Sequence, residues 1–232
     1  MSPLELMRRR RAALRLVIFD CDGVLVDSEP VANRVVAAEL AVLGWKMTPA
    51  EADRRFLGMT LTDMLPVIEQ RLGRPVPPGW QDLLMQRLVE ALEVQAEPVA
   101  GAPEALAGVS ALGLPWRVAS NSSHAEMRAK FTRLGLLSVV AGRVHSHRDV
   151  MRGKPAPDLF FAAAAAEGVA PAECVVIEDS LPGVRAAAAA GMDCLAYAPH
   201  SDGAVLRGSG AVPFHSMFDV PGLVAAALRG AA

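Results

Sequence analysis

The sequence predicts a doubly wound α/β fold, a Rossmann-like parallel sheet carrying an inserted α-helical subdomain. Three observations predict it. Short apolar runs that end abruptly in polar triplets recur along the chain, helical stretches alternate with them, and one long early segment carries no strand signal at all.

The first run, residues 14–19, is mostly apolar and stops at Asp20-Cys21-Asp22-Gly23. A run of this length suits a strand buried on both faces of a parallel sheet. The rhythm then breaks. Helices are predicted at about 29–43, 49–57, 60–72 and 79–95, separated by Gly44, Gly58 and the Pro75-Val76-Pro77-Pro78-Gly79 breaker. Residues 28–98 are therefore assigned to the insert, and 1–27 with 99–232 to the core. Farther on, apolar runs at 116–119, 174–177 and 194–197 alternate with helices at about 102–112, 123–135, 156–168 and 181–190. The alanine runs 162–166 and 186–190 fit helices of high intrinsic propensity lying close against a sheet.

At 232 residues, with 52% hydrophobic and 21% charged residues, the chain has the length and composition of a globular protein with a sizeable core. A net charge of -2 gives no electrostatic footprint for nucleic acid. The basic run at 8–11 reads as a solvated arm, and Arg15 and Asp20 interrupt the apolar stretch after it, against a secretory signal. No run reaches the roughly 18 apolar residues that a membrane span requires. Cys21, Cys174 and Cys194 show no paired metal spacing, which points to reduced thiols in a cytoplasmic protein.

In open α/β sheets, ligands gather where strands deliver their carboxyl ends. Three inferred strands end in Asp20-Cys21-Asp22, Ser120-Asn121-Ser122 and Glu178-Asp179-Ser180. Carboxylates brought together repel and favour a bound cation, and hard oxygen donors favour Mg2+ over zinc. With hydroxyls and Lys154 opposite, such a centre suits a phosphate. Each piece alone also has a plainer reading. Asp-x-Asp-Gly can be a turn, the other triplets helix N-caps, and Lys154 a surface lysine.

Together and in this order, these residues make the chain resemble the haloacid dehalogenase-like superfamily, all four of whose motifs are matched between about Leu14 and Pro199. Phe19-Asp20-Cys21-Asp22-Gly23-Val24-Leu25-Val26-Asp27-Ser28 and Gly153-Lys154-Pro155-Ala156-Pro157-Asp158 are similar to its β-phosphoglucomutase and sugar-phosphatase branch. So is Val176-Ile177-Glu178-Asp179-Ser180-Leu181-Pro182-Gly183-Val184, and the insert resembles that branch's helical cap. The resemblance implies Asp20 as a nucleophile that forms an acyl phosphate. It implies Asp22 as the acid that protonates the leaving alcohol and then as the base that activates water. It implies Mg2+ on Asp20, the Asp22 backbone carbonyl and Asp179, with Glu178 ligating directly or through water. Ser120 and the Asn121 backbone N–H would take phosphoryl oxygens, and Lys154 would bridge Asp20 and the phosphate. Arg54, Arg55 and Gly58 lie in or beside the family's cap loop and are candidate specificity contacts, against the plainer reading of a solvated helix face. Asp27 and Ser28 are expected at a hinge or turn, Cys21 in the core, and the histidines in polar loops.

The implied activity is hydrolysis of a small phosphorylated metabolite, a sugar or polyol phosphate, with no nucleic-acid or membrane partner and a monomer favoured. A phosphomutase of the β-phosphoglucomutase type is the alternative. Those mutases carry a histidine at the position of Ala32 and a phosphate-binding arginine at that of Leu61, and losing a cationic anchor favours simple hydrolysis. Asp22 argues against carbon–halogen cleavage. Phosphonate cleavage would have to rest on Lys46, the insert's one lysine, and a non-catalytic binding module is disfavoured because every motif position is filled.

Overall fold

The computed structural model describes residues 1–8, 12–56 and 59–230. In chain order, helix α1 (Pro3–Arg8) precedes strand β1 (Leu16–Phe19) and the two-residue strand β2 (Val26–Asp27). Four helices follow, α2 (Glu29–Val42), α3 (Pro49–Phe56), α4 (Leu61–Leu72) and α5 (Trp80–Gln95), before strand β3 (Glu97–Pro98). The chain continues as α6 (Ala102–Ala111), β4 (Trp116–Ser120), α7 (His124–Arg133), β5 (Val144–Ser146), α8 (Asp158–Ala166) and β6 (Cys174–Glu178). It ends with α9 (Leu181–Ala190), β7 (Asp193–Tyr197), α10 (Ala204–Gly208), β8 (Val212–Phe214) and α11 (Val220–Gly230).

All pairings in the main sheet are parallel, and its six strands run in the order β5-β4-β1-β6-β7-β8. From β1 the chain moves outward through β4 to β5, then returns past β1 to lay down β6, β7 and β8. That reversal is the switch point at which such sheets leave a crevice for a ligand.

Alternation along the central strands explains why both faces are covered. Val17 and Phe19 point into an apolar cluster with α1, α6, α7 and α11, while Leu16 and Ile18 point into a second one with α8 and α9. In β6, Val175 and Ile177 divide from Cys174 and Val176 in the same way. Phe19 and Trp116 meet edge to face at 6.4 Å, a favourable aromatic geometry. On the other face, buried Ala163, Ala164, Ala186 and Ala187 let α8 and α9 lie close to the sheet.

Helices α2 to α5 lie between β2 and β3, which pair antiparallel as a short ribbon where the insert leaves and rejoins the core. The insert has an apolar cluster of its own, with Leu40, Trp45, Phe56, Met64, Ile68, Trp80 and Leu84 buried. Its attachment is not confined to the ribbon. Val31 and Leu92 are buried in the main cluster, and α5 packs along α7.

Several expectations are corrected. Helix α1, which had no predicted counterpart, buries Met7 completely against α11 and its neighbours. Arg9, Arg10 and Arg11 lie outside the described residues. Strands β5 and β8 and helix α11 had no predicted counterpart. The predicted helix at 156–168 begins only at Asp158, with Pro157 at its N-cap position. Ser120-Asn121-Ser122 does not cap α7, since Ser123 does so in a capping box with Glu126. Ser180 does cap α9, accepting from the Gly183 N–H at 3.1 Å.

Candidate active site

Because β4, β1 and β6 are adjacent and parallel, their carboxyl ends share one edge of the sheet. Asp20 directly follows β1, and its N–H still donates to Ile177 O at 2.9 Å, so the sheet ladder sets its position. Its Oδ1 accepts from Lys154 Nζ at 2.6 Å. The same ammonium donates to Glu178 Oε1 at 2.6 Å, so Lys154 joins the ends of β1 and β6. Both Lys154 and Glu178 are buried, an arrangement stable only because each meets an opposite charge. Lys154 is thus not the surface lysine of the plainer reading.

The loop bearing Lys154 is clamped by Asn121. Its Oδ1 accepts from Lys154 N at 2.8 Å and its Nδ2 donates to Lys154 O at 3.0 Å. Glu178 Oε2 accepts from Asp179 N and Ser180 N, both at 2.9 Å, and from Ser180 Oγ at 2.8 Å. Two glycines make these approaches possible. A Cβ on Gly183 would lie 1.7 Å from Glu178 Oε1, and one on Gly23, whose φ is 72°, would lie 1.8 Å from Asp179 Oδ2.

Asp22 belongs to a second cluster. Its Oδ1 accepts from Lys130 Nζ at 2.5 Å and from the Ser28 hydroxyl. Its Oδ2 accepts from Ser122 Oγ at 2.7 Å and Ser120 Oγ at 3.2 Å, and Lys130 also donates to Ser122 Oγ at 2.8 Å. Lys130 is fully buried in α7 and was not singled out from the sequence. Spacing gives no sign of it, since Lys130 lies ten residues beyond Ser120 on a helix that reads as ordinary and amphipathic.

The two clusters push their carboxyl groups in opposite directions. Burial raises Asp20 most; Lys154 opposes this, Glu178 and Asp22 add to it, and the group stands at about 7 against the ordinary 3.8. Asp179 is also pushed well up, by burial first and then by Glu178 and Asp20. Burial would raise Asp22 too, but the charge of Lys130 and hydrogen bonds from Lys130, Ser28 and Ser122 outweigh it and hold the group at about 2.

Asp20, Glu178 and Asp179 each offer a ligand oxygen, all within 4.8 Å of one another. These are hard donors, and the strained Asp20 and Asp179 carboxyls would be relieved by a cation. Four carboxylates here face two ammonium groups, an excess of two negative charges that a divalent ion would balance. The residues fit Mg2+. The Asp22 carboxylate lies outside this group and with Lys130.

The candidate specificity residues Arg54 and Arg55 make their contacts within the insert. Arg55 stacks over Trp45 at 5.1 Å, and Arg54 lines a groove with Trp45, Lys46, Met47 and Glu51 on the insert. Gly58 lies outside the described residues. Negative charge from the start of the insert does reach the catalytic edge. Glu29 is raised by burial and then by Asp53, Asp27 and Asp22, and Asn33 Nδ2 donates to Asp53 Oδ1 at 2.9 Å. Cys21 is fully buried, as expected. Ser28 is buried beside the β2–β3 ribbon, with its hydroxyl on Asp22 instead of capping α2.

A model of the haloacid dehalogenase-like hydrolases matches residues 14–191. The chain is 29% identical to the 6-phosphogluconate phosphatase of Escherichia coli, over 81% of this chain and 85% of that one. It is 30% identical to the phosphorylated carbohydrates phosphatase of Thermotoga maritima, over 86% and 93%. Among solved structures, a hydrolase of the same family from Deinococcus radiodurans, with bound phosphate and sodium, superposes with a TM-score of 0.78 at 32% identity. It covers 94% of this chain and 98% of that one.

Proposed function

The chain belongs to the haloacid dehalogenase-like hydrolase family, and on that footing we propose that it is a Mg2+-dependent phosphatase of a sugar or polyol phosphate, working through a phosphoaspartate at Asp20. One observation carries this reading. Lys154 Nζ sits 2.6 Å from Asp20 Oδ1 at the sheet's switch point, beside Asp179.

In the first step an Asp20 carboxylate oxygen bonds to phosphorus and the ester P–O bond breaks; Asp22, ionised while Lys130 and the serines hold it, first takes up a proton carried in by the phosphate monoester and then gives it to the departing alcohol. In the second, a water oxygen bonds to phosphorus, the acyl phosphate P–O bond breaks, and Asp22 takes the water's proton. Lys154 keeps Asp20 directed and counters charge on the phosphoryl oxygens. Ser120 Oγ, which now donates to Asp22, is free to turn to a phosphoryl oxygen, and Asn121 holds the Lys154 loop in place. Mg2+, held by Asp20, Asp179 and the Asp22 backbone carbonyl with Glu178 beside them, would offset repulsion between these carboxylates and the phosphate.

The insert and the relatives point to the substrate class. Glu29, Asp53 and Asn33 supply hydroxyl-reading groups but no cation, which suits a polyhydroxylated leaving group and disfavours a second phosphate. The relatives named above are called phosphatases of 6-phosphogluconate and of phosphorylated carbohydrates. The test is a screen of sugar, polyol and nucleotide monoesters with Mg2+, comparing kcat/KM. Asp20→Asn should lower phosphate release by several orders of magnitude, about the loss seen when a covalent nucleophile is removed. Substantial release by that variant, or full activity of the parent in excess chelator, would overturn the reading.

A further inference from the structure

Lys130 gives and takes no proton in the steps above, yet only 1% of it is exposed. A buried ammonium persists only where partners replace its hydration. Here they are Asp22 Oδ1 and Ser122 Oγ, at 2.5 and 2.8 Å. Ser122 Oγ itself donates to Asp22 Oδ2 at 2.7 Å, so the three side chains close a ring. The ring is anchored on a rigid support, because α7 begins with the Ser123–Glu126 capping box and packs along α5.

We infer that Lys130 is a positioning residue for the reaction, acting on turnover only through the Asp22 carboxylate. This rests on the phosphatase reading. Without the ammonium, Asp22 keeps only the hydroxyls of Ser28, Ser120 and Ser122, and its Oδ1 loses its charged partner. A proton must reach the leaving oxygen as its bond to phosphorus breaks, so a disturbed Asp22 slows transfer from esters whose leaving group needs that proton. An alkyl ester needs it, because an alkoxide is a poor leaving group. A nitrophenyl ester does not, because nitrophenolate leaves unaided. A merely structural counter-ion would affect both esters alike.

The experiment compares kcat/KM for the best sugar phosphate with that for p-nitrophenyl phosphate. That ratio reports the steps through formation of the phosphoaspartate, before water attacks. In Lys130→Met the alkyl value should fall roughly tenfold or more, a part of what general acid catalysis supplies, with the aryl value within about threefold of the parent. In an Asp22→Asn background the same substitution should have no further effect on the alkyl ester, since its only route is gone. Equal falls for both esters in a folded protein, or an additive fall in that background, overturn the inference. If Lys130→Met does not fold, Ser122→Ala opens the same ring and should show the alkyl-selective fall on a smaller scale; an unselective Ser122→Ala overturns the inference. A parent protein inactive on every ester would instead remove the phosphatase reading and this inference with it.

Discussion

At the scale of single residues, carboxyl groups a few ångströms apart differ because their neighbours differ. Asp22 meets an ammonium and three hydroxyls, whereas Asp20 shares its one ammonium with Glu178 and faces other carboxylates. The consequence for stability has a definite sign. An acid whose pKa is raised in the fold holds its proton more tightly there, so the stability it contributes is lost as pH rises from its ordinary 3.8 through about 7. Asp22 is lowered, so its contribution persists above the ordinary value and is lost only as pH falls through about 2. Near neutrality Asp20 therefore governs. At the proposed site Mg2+ would compete with protons for the Asp20 and Asp179 oxygens, so the rise in Tm that it produces should grow from about pH 5 to about pH 8. Thermal unfolding with and without Mg2+ measures this. A Mg2+ effect that stayed level or shrank over that range would show that these carboxylates are not its ligands.

At the scale of elements, the insert is both a unit and a lever. Its distal part has a private core around Ile68, Trp45 and Trp80, while the end of α5 is buried in the main core against α7. Ile68 is fully buried on α4. Ile68→Ala should cost about 2–5 kcal/mol, the usual loss for a large-to-small change in a packed core. Chemical denaturation followed by tryptophan fluorescence should show the insert's Trp45 and Trp80 responding at lower denaturant than in the parent. An unchanged midpoint would contradict the packing described. The helix that bears Lys130 is the one α5 lies against, so the insert's main contact with the core runs beside the Asp22 cluster.

At the scale of the whole molecule, the question is what accepts the phosphoryl group. Glu29, at the start of the insert, feels the charge of both Asp53 and Asp22, and neither Ala32 nor Leu61 can supply the anchor that a second phosphate needs. Water should therefore take the phosphoryl group from Asp20. β-Glucose 1-phosphate is expected to be hydrolysed or ignored, not converted to glucose 6-phosphate. Coupling to glucose-6-phosphate dehydrogenase, with a trace of glucose 1,6-bisphosphate, tests this. Rapid NADPH formation without matching phosphate release would favour the mutase.

The sequence by itself determined the α/β class, the central strands, the four-helix insert and the residues at three strand ends. Those features are written locally, in apolar runs both of whose faces are buried, in turn chemistry and in motifs a few residues long. The edge strands β5 and β8 are short; Val144-His145-Ser146 is mostly polar, and Pro213 in Val212-Pro213-Phe214 speaks against a strand. Helix α1 becomes ordered by burying Met7 against an element from the other end of the chain, which no local pattern records. The same holds for chemistry. The sequence marked Asp22, but only the packing of α7 against the sheet decided that its partner is Lys130, because an ion pair depends on distance in space and those two residues are 108 apart along the chain.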